Sequence, residues 1–154
     1  MKRVIILIPV FNDWESLKKL LSEINESIAL FNDINFECLI VNDASQIDLP
    51  ELIKPDNLKS LEILNMKKNR GHARCNAFGI RYIFQNKKFD NLILMDGDGE
   101  DRPEEIKYLI EKNKEKPNLS VVAKRIKRSE GLFFQCLYQL HKLITFIFTG
   151  QNIN

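Results

Sequence analysis

Several nucleotide-site signatures are missing from this chain. No Gly-rich loop followed by Lys-Ser/Thr occurs, which argues against a P-loop nucleotidase, and no G-x-G-x-x-G follows the first apolar run, which argues against a dinucleotide cofactor. Cysteine is scarce. Cys38, Cys75 and Cys136 are odd in number, scattered and without metal-ligand spacing, so they are expected to be reduced packing residues of a cytoplasmic protein. The net charge of +2 supplies no global attraction to nucleic acid, and none is expected as a partner. Met1-Lys-Arg leads straight into a short apolar run stopped by Pro9, a pattern without the features of a signal peptide. Repeats and low-complexity linkers are absent, and 154 residues at 44% hydrophobic can bury one sizeable core.

What is present alternates. Val4 to Ile8 is an apolar run of strand length, and Trp14, Leu17, Leu20, Leu21, Ile24 and Ile28 then recur at helical spacing, with Asn12 or Asp13 placed to cap the first turn. Phe36–Val41 and Leu61–Leu64 read as strands, Gly71–Phe84 as a helix and Asn91–Met95 as a fourth strand. Pro103 opens a helix to about Lys114, and Ser120–Ala123 reads as a fifth strand. Strands apolar throughout and separated by helices predict an α/β fold: a mostly parallel, Rossmann-like sheet in three layers, with helices on both faces.

The run Leu92-Ile-Leu-Met-Asp-Gly-Asp-Gly-Glu-Asp-Arg-Pro103 carries the strongest chemical signal. Asp96, Asp98, Glu100 and Asp101 crowd the end of a strand, where they repel one another unless a cation lies between them. A hard divalent ion carrying phosphate is the usual solution. A plain strand-to-helix turn capped by Asp is the competing reading. A calcium loop of the EF-hand type fails, because its sixth position is Asp101 rather than Gly and its twelfth is Lys107 rather than Glu. In parallel sheets, ligands bind outside the carboxyl ends of the strands. Pro9-Val-Phe-Asn-Asp13, Asn42-Asp43-Ala-Ser45 and Asp96-Gly-Asp98 should therefore face one crevice, as a nucleoside-diphosphate site that holds phosphate through a metal.

The set Ile-Pro-Val-Phe-Asn-Asp13, Val-Asn-Asp-Ala-Ser45, Asn69-Arg-Gly-His-Ala-Arg-Cys-Asn76 and Met-Asp-Gly-Asp-Gly-Glu-Asp-Arg-Pro103 resembles the family-2 glycosyltransferases of GT-A fold. Within that family it looks most like the polyprenyl-phosphate sugar transferases, such as the dolichol-phosphate mannose synthases. The resemblance implies transfer of a sugar from a UDP- or GDP-linked donor, with Mg2+ or Mn2+, to an acceptor such as a lipid phosphate. By the same likeness Pro9, Val10, Phe11 and Asp13 pack the nucleoside, although Asp13 stands where Glu is usual. Asp43 meets the base or ribose, while Asn42 and Ala44 depart from the commoner Asp and Gly. Asn69, Gly71 and Arg74 border the nucleotide. Asp96, Gly97 and Asp98 form the DxD-type motif, with Asp98 and Glu100 on the metal and Arg125 and Arg128 near the diphosphate and an anionic acceptor.

The chemistry suits those residue types. Expelling a nucleoside diphosphate from an anomeric carbon builds negative charge, which a metal on Asp98 and an arginine, Arg125 or Arg128, would offset. An anionic lipid phosphate needs little help from a base, whereas a hydroxyl acceptor would call on a carboxylate such as Asp101. His72 reads more as a partly exposed loop residue than as a phosphate ligand, and His141 as a packing residue.

Residues 1–128 are expected to form the donor-binding core and 129–150 an apolar helix. In that helix Gln135, Gln139, Lys142, Thr145 and Thr149 make one narrow polar stripe. Beside the basic cluster Lys124–Arg128, it would suit either the cytoplasmic face of a membrane or a cover for the core. The resemblance implies further strands beyond Asn154, so an incomplete donor-binding or membrane-associated module is the alternative to a working transferase. A nucleotidyltransferase would ordinarily show a Gly-rich basic loop after the first strand, and Pro9–Asp13 has none.

Overall fold

The computed structural model describes residues 1–117 and 119–123. The chain divides into two compact units, Met1–Val121 and Val122–Asn154, and almost every described residue belongs to the first. The expected apolar helix, Arg125, Arg128, Cys136 and His141 lie outside the described residues.

The first unit is an α/β domain. Its elements are β1 (Lys2–Val10), α1 (Trp14–Ile28), β2 (Ile34–Asn42), β3 (Leu58–Asn65), α2 (His72–Asn86), β4 (Asn91–Leu94), a 3-10 turn (Pro103–Glu105) and α3 (Ile106–Glu115). The four strands pair in the order β3-β2-β1-β4, all parallel, with Ile6 opposite Cys38 on one side and Ile93 on the other. Alternate side chains serve opposite faces. Val4, Ile6, Ile8, Phe36, Cys38, Ile40 and Ile93 pack with the buried stripe of α1 and with Ile106 and Ile110 of the α3 layer. Ile5, Leu7, Leu39 and Val41 pack against Cys75 and Ile83 of α2. Helices thus cover both faces, as the sequence pattern predicts.

Local chemistry sets the element ends. Asp13 caps α1 by accepting the backbone N–H of Ser16 at 3.1 Å, a cap worth about 1 kcal/mol. Asn12, the other expected cap, instead sits at φ 59° and works elsewhere. On α2, a Cβ added at Gly79 would lie 2.5 Å from Leu7 Cδ1 and 3.0 Å from Val41 Cγ2, so the missing side chain lets this helix press onto β1 and β2.

Proline at position 9 belongs to β1 rather than ending it. Leu7 accepts the Met95 N–H, so the main-chain groups of Leu7, and of Pro9 two residues on, face the β4 side. Pairing with β4 ends at Leu7–Leu94, so the N–H that proline lacks has no ladder partner to lose.

One expectation is not met. Ser120–Ala123 has no regular secondary structure and pairs with none of the four strands. A strand is defined by its ladder, and the apolar pair Val121-Val122 does not by itself supply one.

Candidate functional site

The order β3-β2-β1-β4 places the topological switch between β1 and β4. The chain builds outward from β1 through β2 to β3, then returns through α2 to lay β4 on the other side of β1. Ligands of parallel sheets bind outside the carboxyl ends of the strands at such a point. A cleft of about 200 Å3 occupies this place, lined by Pro9 and Val10 at the end of β1, Phe11 and Asp13 after it, Asp96, Gly97 and Asp98 after β4, and His72 at the start of α2. Seven of these eight residues were expected at the site from sequence; His72 was not.

The β4 loop is built to keep its carboxylates at the rim. Asp101 Oδ2 accepts the backbone N–H of Asp96 at 2.8 Å, drawing the loop back on itself. Asp98 Oδ1 accepts the N–H of Glu100 at 2.9 Å, a tight local turn that passes through Gly99 at φ 80°. Asp96 Oδ1 lies 3.4 Å from His72 Nε2, which ties the acidic loop to the first residue of α2. Gly97 is pressed against β1: a Cβ there would stand 2.7 Å from the Pro9 carbonyl oxygen.

The β2 loop supports the cleft from behind. Asp43 is buried at 3% exposure and spends both oxygens on backbone, accepting from Arg70 N–H and Gly71 N–H at 2.8 Å each. Buried carboxylates hold together where charge-assisted hydrogen bonds replace water. Asp43 therefore fixes the turn that starts α2, and it does not line the cleft. Asn69 braces the same turn through Oδ1 to Gly71 N–H at 3.1 Å, and Arg74 is exposed one helical step further on. The turn ends at Gly71, which gives α2 no side-chain cap, and the first turn of α2 carries no acid. Asp43 and burial together push the nearby Cys75 thiol up to about 12, with burial the larger cause, so it stays protonated and inert. Cys38, fully buried, is likewise pushed up to about 12.

An amide chain joins the first two loops. Asn12 N–H donates to Ser45 Oγ at 2.8 Å, and Asn12 Oδ1 accepts Gln46 N–H at 2.6 Å. Asn42 Oδ1 accepts Ser45 N–H at 2.9 Å, while its Nδ2 donates to Asn65 Oδ1 at 2.8 Å. Asn42 thus connects the ends of β2 and β3, a structural use of the residue that stands where Asp is commoner. Of the expected residues, Pro9, Val10, Phe11, Asp13, Asp96, Gly97 and Asp98 meet in the cleft. Asp43, Asn69, Gly71 and Arg74 form or flank the turn behind His72, and Glu100 and Asp101 belong to the acidic loop.

Among the described residues, no group of three or more His, Cys, Asp or Glu could hold a metal ion unaided. A metal held at this loop would have to be one that takes few protein ligands. Mg2+ keeps several waters and binds through one or two carboxylates plus substrate phosphates rather than a protein cage. Asp96 and Asp98 place two hard carboxylates at the mouth of one cleft, the donor type such an ion would take.

The cleft at the switch point and its acidic loop define a Rossmann-like α/β domain with a polar cleft at the carboxyl ends of its strands. Residues 5–153 match Glycosyl transferase family 2, and the chain belongs to that family. An uncharacterised glycosyltransferase of Bacillus subtilis (strain 168), YkcC, is 30% identical over 139 residues, covering 84% of this chain and 39% of that protein. The undecaprenyl-phosphate 4-deoxy-4-formamido-L-arabinose transferase of Aeromonas hydrophila is 31% identical over 111 residues, 71% of this chain and 33% of that protein. The protein of the same name in Yersinia pestis (strain Pestoides F) is 28% identical over 153 residues, 99% of this chain and 46% of that protein. These names bear out the likeness to polyprenyl-phosphate sugar transferases. The chain spans less than half the length of these relatives.

Proposed function

We propose that this chain is the donor-binding part of a glycosyltransferase that moves a sugar from a nucleoside diphosphate to a polyprenyl phosphate. The observation that carries the reading is the convergence of Pro9–Asp13, Asp96–Asp98 and His72 on one cleft at the β1–β4 switch point. At about 200 Å3 the cleft is smaller than the roughly 300–1,000 Å3 usual for whole ligands. It suits the diphosphate, its cation and part of the nucleoside, with Phe11, 43% exposed, offering a face to the base.

On this reading Asp98, helped by Glu100, would hold Mg2+ or Mn2+, which would supply positive charge to the leaving diphosphate. Asp96 and Gly97 border the sugar end of the donor, and Asp13 the nucleoside. Asp43, Asn69 and Gly71 keep the start of α2 in place, with Arg74 beside it. Arg125 and Arg128, which lie outside the described residues, are proposed from the family resemblance alone as the cations for the diphosphate and the acceptor phosphate. An acceptor already anionic at neutral pH leaves Asp101 free of base chemistry. The undecaprenyl-phosphate transferases among the relatives support the lipid-phosphate acceptor, and with it a place in the cytoplasm at the membrane face. Among the described residues no helix is long and apolar enough to cross a membrane.

The test is calorimetric titration of UDP- and GDP-sugars with and without Mn2+. Binding that requires the metal and falls at least about tenfold in Asp98→Ala supports the reading, a tenfold change being about 1.4 kcal/mol. Absence of metal-dependent binding to every nucleotide overturns it. Sugar release or transfer then separates a working transferase from a module that only binds donor.

A further inference from the structure

His72 is held by two neighbours with opposite demands. Its Nε2 lies 3.4 Å from Asp96 Oδ1 and 2.9 Å from Asn76 Nδ2. A carboxylate oxygen requires hydrogen on that nitrogen, whereas an amide N–H requires its lone pair, and one ring nitrogen cannot offer both at once. Asn76 supplies a second observation. Its Oδ1 is buried and has no hydrogen-bond partner. Turning the amide over directs that oxygen at His72 and leaves Nδ2 in the buried position, and the Asp96 oxygen near the same ring nitrogen favours Nε2–H. The amide orientation and the tautomer are assigned from this network, since hydrogen positions follow from partners. The resulting N–H lies among residues that line the cleft, close to the acidic loop.

Resting on the donor-binding reading above, we propose that His72 binds the diphosphate of the donor, turning toward the terminal phosphate the Nε2–H that faces Asp96. The pair is open to water, with side chains 58% and 44% exposed, so the contact is weak and readily exchanged. A cation held at Asp98 would supply positive charge beside the Asp96 carboxylate, which would then compete less for the histidine hydrogen. The incoming phosphate oxygen supplies a new acceptor for that hydrogen. Asn76, one turn along α2, keeps the ring aimed throughout the exchange. His72 would thereby discriminate diphosphates from shorter nucleotides.

The experiment compares wild type, His72→Ala and His72→Gln in calorimetric titrations with UDP, GDP, UMP and GMP in Mn2+, together with thermal unfolding of each variant. One hydrogen bond to a charged phosphate predicts about a tenfold loss of UDP or GDP affinity in His72→Ala. The monophosphates should lose clearly less, the unfolding midpoint should hold, and the amide donor of His72→Gln should restore affinity to within about threefold of wild type. Diphosphate affinity unchanged in His72→Ala overturns the assignment. So does an equal loss for mono- and diphosphates, which would mark a structural role. A wild type that binds no nucleoside diphosphate with Mn2+ overturns the donor-binding reading and this assignment with it. Binding by wild type that His72→Ala leaves intact overturns only the assignment.

Discussion

Gly97 and Pro9 touch backbone to backbone: a Cβ on Gly97 would stand 2.7 Å from the Pro9 carbonyl oxygen. That oxygen faces the side on which β4 has just ended, so the acidic loop is laid directly on the exposed rim of β1. The contact is what brings Asp96 and Asp98 beside the residues that follow β1.

Gly97→Ala should therefore damage the site more than its single methyl suggests. The neighbour is backbone within a central strand and cannot rotate away as a side chain would. Overpacking of this kind costs about 1–3 kcal/mol. Denaturant unfolding should show a loss in that range, and titration with UDP or GDP and Mn2+ should show weaker binding as the loop is pushed off β1. A variant with unaltered stability and affinity would mean that the loop shifts freely and that the close approach is incidental.

Asp43→Asn tests the turn behind the cleft. Asp43 accepts two backbone N–H groups with two oxygens while almost wholly buried. An amide offers one oxygen and presents an N–H2 to the other donor, leaving a buried N–H unsatisfied. The expected cost is about 2–3 kcal/mol, since bonds to a charged acceptor are lost along with satisfaction of a buried donor. Chemical denaturation measures it. Nucleotide affinity should fall as well, through displacement of His72 rather than through a lost ligand contact. A stability change below about 0.5 kcal/mol, the size usual for an uninvolved surface substitution, would contradict the geometry.

The contrast between these two residues shows what the sequence makes legible. Alternating apolar runs betray the sheet, because burial on both faces leaves strands such as Val4–Ile8 without a polar side. The acidic loop is equally visible, because clustered carboxylates at a strand end stand out locally. The job of Asp43 is not visible, since its partners lie 27 and 28 residues away and are backbone groups with no side-chain signature. His72 is hidden for the same reason: only the closed fold brings Asp96 to it. Asn12 and Asp13 look alike as caps, and the structure separates them because Asn12 can occupy φ 59° and reach Ser45, while Asp13 faces the helix. Ser120–Ala123 errs in the other direction, having strand-like composition without a strand to pair with.

The pH dependence of stability should carry the mark of a cluster on the α2 face, away from the cleft. Lys87 Nζ lies 2.7 Å from Glu62 and 3.7 Å from Glu37, and Tyr82 donates to Glu62. Burial pushes Glu62 up, but the Lys87 and Tyr82 hydrogen bonds outweigh it and hold the carboxyl below its usual 4.5. Burial pushes Lys87 down, and its bond to Glu62 with the charges of Glu62 and Glu37 outweighs that, holding it above 10.5. A lowered carboxyl contributes stability that is present above about 4.5 and lost as pH falls through its folded value. A raised amine contributes stability that is present below 10.5 and lost as pH rises through its own folded value. Solvent screening keeps each contribution near or below about 1 kcal/mol. Lys87→Met should therefore flatten both limbs of a stability–pH profile, and Glu62→Gln should flatten the acid limb most. Profiles that superimpose on wild type would show that the cluster contributes nothing measurable.

Ala44 offers the opposite kind of substitution, one that should improve the protein. It sits at φ 58° between Asp43 and Ser45, and it holds that left-handed conformation because both neighbours are pinned. Asp43 N–H donates to the Val10 carbonyl at 2.9 Å, and Ser45 N–H to Asn42 Oδ1 at 2.9 Å. The strain on an L-residue there is about 1–2 kcal/mol, whereas glycine carries none but leaves an unfolded chain freer by roughly 0.5–1 kcal/mol. Ala44→Gly should thus stabilise the protein by about 0.5–1 kcal/mol, which a shift of the unfolding midpoint would register. Because the hydrogen bonds that fix the loop are main-chain or belong to Asp43, Ser45 and Asn42, nucleotide affinity should not change. A midpoint that falls would show that the alanine methyl makes a contact worth more than its strain.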